Sequence, residues 1–181
     1  TYTYSINGFA LSSPDAYTPL MTVDSDYMGL KDAISDPKDL EVDADNNVYI
    51  ADAKNNRIVV LDRYYKLKFT IETFVNEYGI DDELTNPAGV FVTDDMIYVC
   101  DTDANRIVTF DKEGNYDHII PQPESTLFDD DAVYKPVAVA VDQYGRIFVV
   151  SSTTYEGIIV MTSDGQLTGF IGAQAVSLSA W

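Results

Sequence analysis

The chain has one cysteine, one histidine and one tryptophan in 181 residues, and only 11 basic side chains against 30 acidic ones. Each scarcity excludes something. Cys100 has no partner for an internal disulfide, and its place in the apolar run 97–100 makes it a small core residue. His118 lacks the second His or Cys that a zinc site or a His-based acid–base pair would need. A formal charge of -19 repels phosphate backbones and anionic membrane surfaces, so nucleic acid is not an expected ligand. No stretch approaches the roughly 18 consecutive apolar residues of a membrane helix, and no direct insertion is expected of this segment. A 3.6-residue period is absent throughout, which leaves no helices to pack against strands. No serine or cysteine has a basic neighbour that points to nucleophilic catalysis. The first residue is Thr1 rather than Met and no signal peptide is visible, so the chain reads as a processed form or a trimmed one.

What the chain does have is repetition. Its 46% hydrophobic content, thirteen Tyr and eight Phe favour a strand-rich globular domain. The stretch 37–62, P-K-D-L-E-V-D-A-D-N-N-V-Y-I-A-D-A-K-N-N-R-I-V-V-L-D, returns at 87–111 and, more loosely, at 136–164. Pro37, Pro87 and Pro136 recur at intervals of 50 and 49 residues, a period that points to a propeller or solenoid. Each copy reads as four strands: 38–43, 48–51, 58–61 and 67–71; then 89–93, 97–100, 107–110 and 116–120; then 137–142, 147–150, 158–161 and 167–171. The breaks are short and rich in Asp, Asn and Gly, so neighbouring strands pair antiparallel as a meander.

The middle strands of the first and third copies are apolar throughout, as in Val48-Tyr49-Ile50-Ala51 and Ile58-Val59-Val60-Leu61, where a sheet with one wet face would alternate. Both faces must be covered, and with no helices the cover is the next sheet. This predicts an all-β fold, a β-propeller of four-stranded antiparallel blades. The expected divisions are 1–35 (outer strands and a loop, with strand candidates at 9–11 and 18–23), blades at 36–85, 86–134 and 135–172, and a tail at 173–181. Closed propellers have roughly four to eight blades, so about three blades make an incomplete ring with two bare apolar faces. Either the sequence is the leading part of a longer chain, the favoured account, or copies self-associate through the open faces.

The pattern P-x-x-(V/L)-x-V-D, (V/I)-Y-(I/V)-x-D, N-R-I-V-x-(L/F)-D resembles the NHL-repeat family of β-propellers. The first two copies carry the signature Asn-Arg pair, Asn56-Arg57 and Asn105-Arg106, while the third, Ser151 to Gly157, keeps neither its Asp nor its Arg. The whole stretch is also similar to the N-terminal part of secreted or surface NHL-repeat proteins of Gram-positive, Clostridia-like bacteria. That resemblance implies an extracellular or cell-surface location. Gluconolactonase-like propellers hold a divalent cation near the axis, and by that likeness Asp36, Asp39 and Asn86 flank inner strands where such ligands would stand.

If strands alternate up and down, the loops 52–57, 101–106 and 151–157 and the long connections 24–36, 72–86 and 121–135 open on one face. This is the expected partner-binding face, with candidates Asn56, Asp103, Asn105, Tyr155, Glu156, Asp81, Asp82, Asp129 and Asp130. The Asp52–Arg57 and Asp101–Arg106 pairs read as hairpin fasteners, because they recur once per blade. Ca²⁺ is conceivable at Asp129-Asp130-Asp131 or at Asp43-Ala44-Asp45, but neither has the glycine and glutamate of a calcium loop, and no cofactor is expected. The sequence therefore predicts a binding scaffold for protein, peptide or glycan, with a propeller-type metal-dependent hydrolase or lactonase as the alternative.

Overall fold

The computed structural model describes residues 2–13, 17–124, 133–153 and 157–172. Strands β1 (Tyr2–Tyr4) and β2 (Ala10–Ser12) form a separate hairpin, followed by the one-turn helix α1 (Ser25–Met28). Three four-stranded antiparallel sheets then follow in strict sequence order. The first blade is β3 (Pro37–Val42), β4 (Val48–Asp52), β5 (Arg57–Leu61) and β6 (Leu67–Ile71). A small hairpin, β7 (Thr73–Val75) with β8 (Asp81–Glu83), connects it to β9 (Pro87–Val92), β10 (Met96–Asp101), β11 (Arg106–Asp111) and β12 (Tyr116–Ile120). The third blade is β13 (Pro136–Val141), β14 (Ile147–Ser151), β15 (Ile158–Met161) and β16 (Leu167–Ile171). The expected twelve strands are all present, within one or two residues at their ends.

Inner strands β3, β9 and β13 lie side by side along the chain of blades. Each begins at a proline, a strand position where a missing N–H costs no ladder bond, and each slips register beside it against its neighbour. The apolar runs divide by parity. Tyr49, Ala51, Ile58 and Val60 pack against Val90, Ile97, Val99, Val108 and Phe110 of the second blade. Cys100, Ile107 and Ile120 do the same against Val139, Ile147, Val149 and Ile159 of the third. Burying one such Ile or Phe is worth about 1.5–3 kcal/mol, so the blades are held chiefly by these two interfaces. This is a three-blade arc of a β-propeller.

The N-terminal stretch differs from expectation. Residues 18–23 form no strand; instead Met28 and Leu30 are buried against Val48, Ile50, Val59 and Leu61, with Val23 and Ile34 beside them. The outward face of the first blade is therefore covered over its middle strands, and stays open at Leu40 and Val42 on the inner one. The local reason is a helix start without continuation. Asp24 caps the Tyr27 N–H at 2.8 Å, and Gly29, in the left-handed region at φ 83°, ends the turn at once.

The turns between successive strands account for many of the acidic residues. Asp43, Asp62, Asp111 and Asp142 each open a five-residue turn in which one carboxylate oxygen accepts the third and fifth backbone N–H at 2.8–3.0 Å. The fourth residue, Asn46, Tyr65, Gly114 or Gly145, takes positive φ. Asp43-Ala44-Asp45-Asn46-Asn47 is thus a capped β-turn, as its sequence implies. Asp43 also accepts Lys112 Nζ at 2.9 Å and Tyr49 Oη at 3.0 Å, tying the first blade to the second. Against the opposing effect of burial, these bonds and those from the Asn47 side chain hold its carboxyl well below the usual carboxylate range, the Asn47 amide most of all.

Candidate functional site

The face opposite those turns carries the loops after β4, β10 and β14 and the connections between blades. Its organising groups are Asp52 and Asp101, both fully buried at the ends of second strands and paired in register with Pro37 and Pro87. Asp52 accepts the Ser35 N–H at 2.7 Å through one oxygen, and Arg57 Nε at 2.7 Å and Asn55 Nδ2 at 2.9 Å through the other. Arg57 Nη2 continues to the Asp32 carbonyl at 2.8 Å. Asp101 repeats this with the Thr85 N–H at 2.6 Å and Arg106 Nε at 2.8 Å. The Asn of the signature pair has its own reason: Asn56 and Asn105 sit at φ 54° and 57°, left-handed conformations that Asn tolerates better than most residues. The Asn closes the turn, and the Arg that follows it reaches back to the Asp.

The third blade does the same work without charge. Ser151 Oγ accepts the Lys135 N–H at 3.0 Å and meets Thr153 Oγ1 at 3.0 Å, and Thr153 donates on to the Val133 carbonyl. A hydroxyl pair replaces the ion pair because the only fixed requirement is an acceptor for the backbone N–H ahead of the inner strand.

Arg106 extends further than Arg57. Its Nη1 and Nη2 hold both oxygens of Asp82 at 2.8 Å, Nη2 also reaches the Glu83 carbonyl at 3.1 Å, and the guanidinium lies 5.6 Å from the Phe74 ring centre. The bidentate contact pulls Asp82 down to about 2 and raises Arg106 above its already high value. Burial pushes Asp101 up, against the bonds from Thr85 and Arg106. The hairpin β7–β8 is therefore clamped to the second blade. Phe74 adds to the clamp by stacking on Tyr116 at 5.2 Å and meeting Phe110 edge-on at 5.4 Å.

The expected binding residues divide by this geometry. Asn56 Oδ1 accepts the Asn86 N–H at 2.8 Å; Asp103 accepts Asn86 Nδ2 at 3.1 Å and Lys135 Nζ at 2.8 Å, which lowers its pKa. Together they form a polar chain from the first blade to the third. Asn105 closes its turn to the Thr102 carbonyl, and Asp82 is engaged by Arg106. Asp81 is exposed on the hairpin. Asp129, Asp130, Tyr155 and Glu156 lie outside the described residues. Of the axial cation candidates, Asp39 accepts the Val90 N–H at 3.0 Å and so stitches β3 to β9, while Asp36 pairs with Lys38 at 2.9 Å. Among the described residues no group of three or more His, Cys, Asp or Glu side chains stands together as metal ligands do. His118 lies on β12, bonded through Nδ1 to Asp117 at 2.6 Å and near Thr109 Oγ1 at 2.9 Å.

The sequence reads 72–86 as a long connection on the partner-binding face without strands, and the structure places a hairpin within it. Thr73-Phe74-Val75 and Asp81-Asp82-Glu83 flank Asn76 to Ile80, and the turn signal Glu77-Tyr78-Gly79 was available. Three acidic residues in a row hid the strand. Around this hairpin lies an open groove of about 680 Å³ lined by Thr73, Phe74, Val75, Asp81, Asp82 and Glu83.

The NHL repeat model matches residues 35–61. The match covers the first blade's inner three strands, including the Asp52–Arg57 fastener. No curated protein matches the chain. Among solved structures it is similar to a streptogramin B lyase, with TM-score 0.52 and 20% identity over 76% of this chain and 41% of that one. It is also similar to the hydrazine synthase of Kuenenia stuttgartiensis, with TM-score 0.58 and 12% identity over 77% and 37%. A protein of unknown function from Bacteroides caccae has TM-score 0.52 and 11% identity over 72% and 47%. The chain spans about two fifths of the length of the first two of these structures. At these identities the likeness is one of fold.

Proposed function

We propose that this chain is part of an NHL-type propeller that acts outside the cell as a binding scaffold for protein, peptide or glycan. The observation that carries the reading is the contrast on the loop-rich face. The recurring Asp and Arg groups are consumed by fasteners, while the hairpin β7–β8 is tied to the second blade through Arg106 and Phe74 and presents Val75, Tyr78 and Ile80, 54, 78 and 60% exposed. Large exposed side chains on an anchored projection are what an interface uses for affinity. The test is binding of the purified chain to peptide and glycan arrays, beside a Tyr78→Ser/Ile80→Ser variant. Retention that disappears in the variant supports the reading. No retention on either array, or retention indifferent to the variant, removes it.

A second reading is a propeller enzyme, a metal-dependent hydrolase or lactonase or a lyase, whose site the rest of a longer chain would complete. It is favoured by the streptogramin B lyase among the structural neighbours. Thermal shift with Ca²⁺, Zn²⁺ and a chelator on the full-length protein separates the two, since a metal-held site responds and a fastener-only face does not.

A further inference from the structure

We infer that the hairpin β7–β8 takes an extended, basic polypeptide segment as an added strand on β7. This rests on the binding-face reading and names its partner. The hydrogen bonds Leu84 N–H to Glu72 O and Asn76 N–H to Ile80 O, both 2.9 Å, set the parity of the ladder. By the two-residue period, Phe74 faces Asp82 in a hydrogen-bonded pair, and the main-chain groups of Thr73 and Val75 point away from β8. Among the described residues those groups have no partner. The opposite edge is occupied: the Glu83 carbonyl accepts from Arg106 and its N–H donates to Asp82 Oδ1 at 2.8 Å. One edge is therefore open, and the strand along it, Thr-Phe-Val, carries no lysine, proline or bulge of the kind that blunts an edge against pairing.

The charge around that edge selects the partner. Thr73, Val75, Asp81 and Glu83 share the outward face of the ribbon, while Glu72 lies 4.0 Å from Arg57 Nη1 and Glu77, in the turn, accepts from Tyr116 Oη. The cations beside the hairpin are engaged elsewhere, Arg57 on Asp52 and 4.0 Å from Glu72, and Arg106 on Asp101 and Asp82, so among the described residues Asp81 and Glu83 form no ion pair. A strand bonded to β7 lies about 4.8 Å from it and about 9.6 Å from β8. Lysine or arginine at alternate positions of that strand can cross over Val75 to Asp81 and Glu83, burying the stem on Val75 and keeping the head in contact with the carboxylates. The acidic field also steers a cationic segment to the edge.

The experiment is fluorescence anisotropy with a labelled acetyl-Lys-Thr-Lys-Val-Lys-Thr-Lys amide, against the same peptide N-methylated at alternate residues on the edge that would meet β7. Charge is unchanged by methylation, but the bonds are lost. The expected result is binding of the first peptide and at least about tenfold weaker binding of the second. Val75→Pro removes an edge N–H without touching the β7–β8 ladder and is expected to weaken binding similarly, with far-UV circular dichroism showing the fold kept. Asp81→Asn/Glu83→Gln is expected to cost about fivefold, whereas Asp94→Asn/Asp95→Asn leaves binding as it was. Equal affinity for both peptides, or equal loss from the Asp94/Asp95 pair, shows general electrostatic adsorption and overturns the proposal. Retention on glycans or on neutral peptides only also overturns it and leaves the binding-face reading standing; no retention anywhere removes both.

Discussion

Replacing Arg106 by Met is the sharpest test of how the loop-rich face is held. The substitution keeps the aliphatic stem and removes the guanidinium, which leaves Asp101 fully buried with the Thr85 N–H as its one remaining bond among the described residues. Removing one partner of a buried pair typically costs about 3–5 kcal/mol, because the other charge stays desolvated. Loss of the bidentate bonds to Asp82 adds little, since that carboxylate is a fifth exposed and rehydrates. The third blade supplies the control. Ser151 meets the same backbone requirement without a cation, so Asp101→Ser combined with Arg106→Met is expected to recover at least half of the loss. Urea unfolding followed by far-UV circular dichroism measures both. A loss below about 1 kcal/mol for Arg106→Met, or a double variant weaker than the single one, would refute the view that the pair exists to satisfy the chain ahead of the inner strand.

Three further outcomes follow from single features. Gly89→Ala places a methyl 2.7 Å from the Val137 carbonyl and 3.0 Å from Cys100 Sγ, and is expected to cost about 1–3 kcal/mol by thermal unfolding because two inner strands must separate to admit it. The Asp82 carboxyl, depressed from 3.8 to about 2 by Arg106, contributes stability that is complete above pH ~4 and is lost as pH falls through about 2. After allowance for its exposure that contribution is about 1 kcal/mol, so the stability gap between wild type and Asp82→Asn should close across this window. Tyr134 is buried with its hydroxyl unpartnered among the described residues, so Tyr134→Phe is expected to stabilise the chain by about 1 kcal/mol; a destabilisation would reveal a partner for that hydroxyl.

The repeat was legible in the sequence because each blade needs the same local devices. A proline opens each inner strand, an Asp caps four of the six turns between strands and a Thr the other two, and in the first two blades an Asn takes the left-handed position before the third strand, so residue type and spacing recur together. Apolar runs without alternation then demanded cover on both faces, which led to stacked blades. The fastener role of Asp52–Arg57 and Asp101–Arg106 was likewise visible in their recurrence. The β7–β8 hairpin was not, because Asp81-Asp82-Glu83 has poor strand propensity and forms a strand only where Arg106 and the Phe74 stack hold it. The cover over Val48, Ile50, Val59 and Leu61 was also out of reach, since Met28 and Leu30 sit in a segment with no period of its own.

Local chemistry thus determined the strands, their order and the turn at each end, since those depend on residues within a few positions of one another. The tertiary structure alone decided which polar residues of the loop-rich face remain free. Asn56, Asp82 and Asp103 look as available in the sequence as Asp81, yet their partners Asn86, Arg106 and Lys135 stand 24 to 32 residues away. Only the stacking of blades brings each pair within hydrogen-bond distance. What it leaves unpaired among the described residues, the edge of β7 and the side chains beside it, is the place proposed above for a partner.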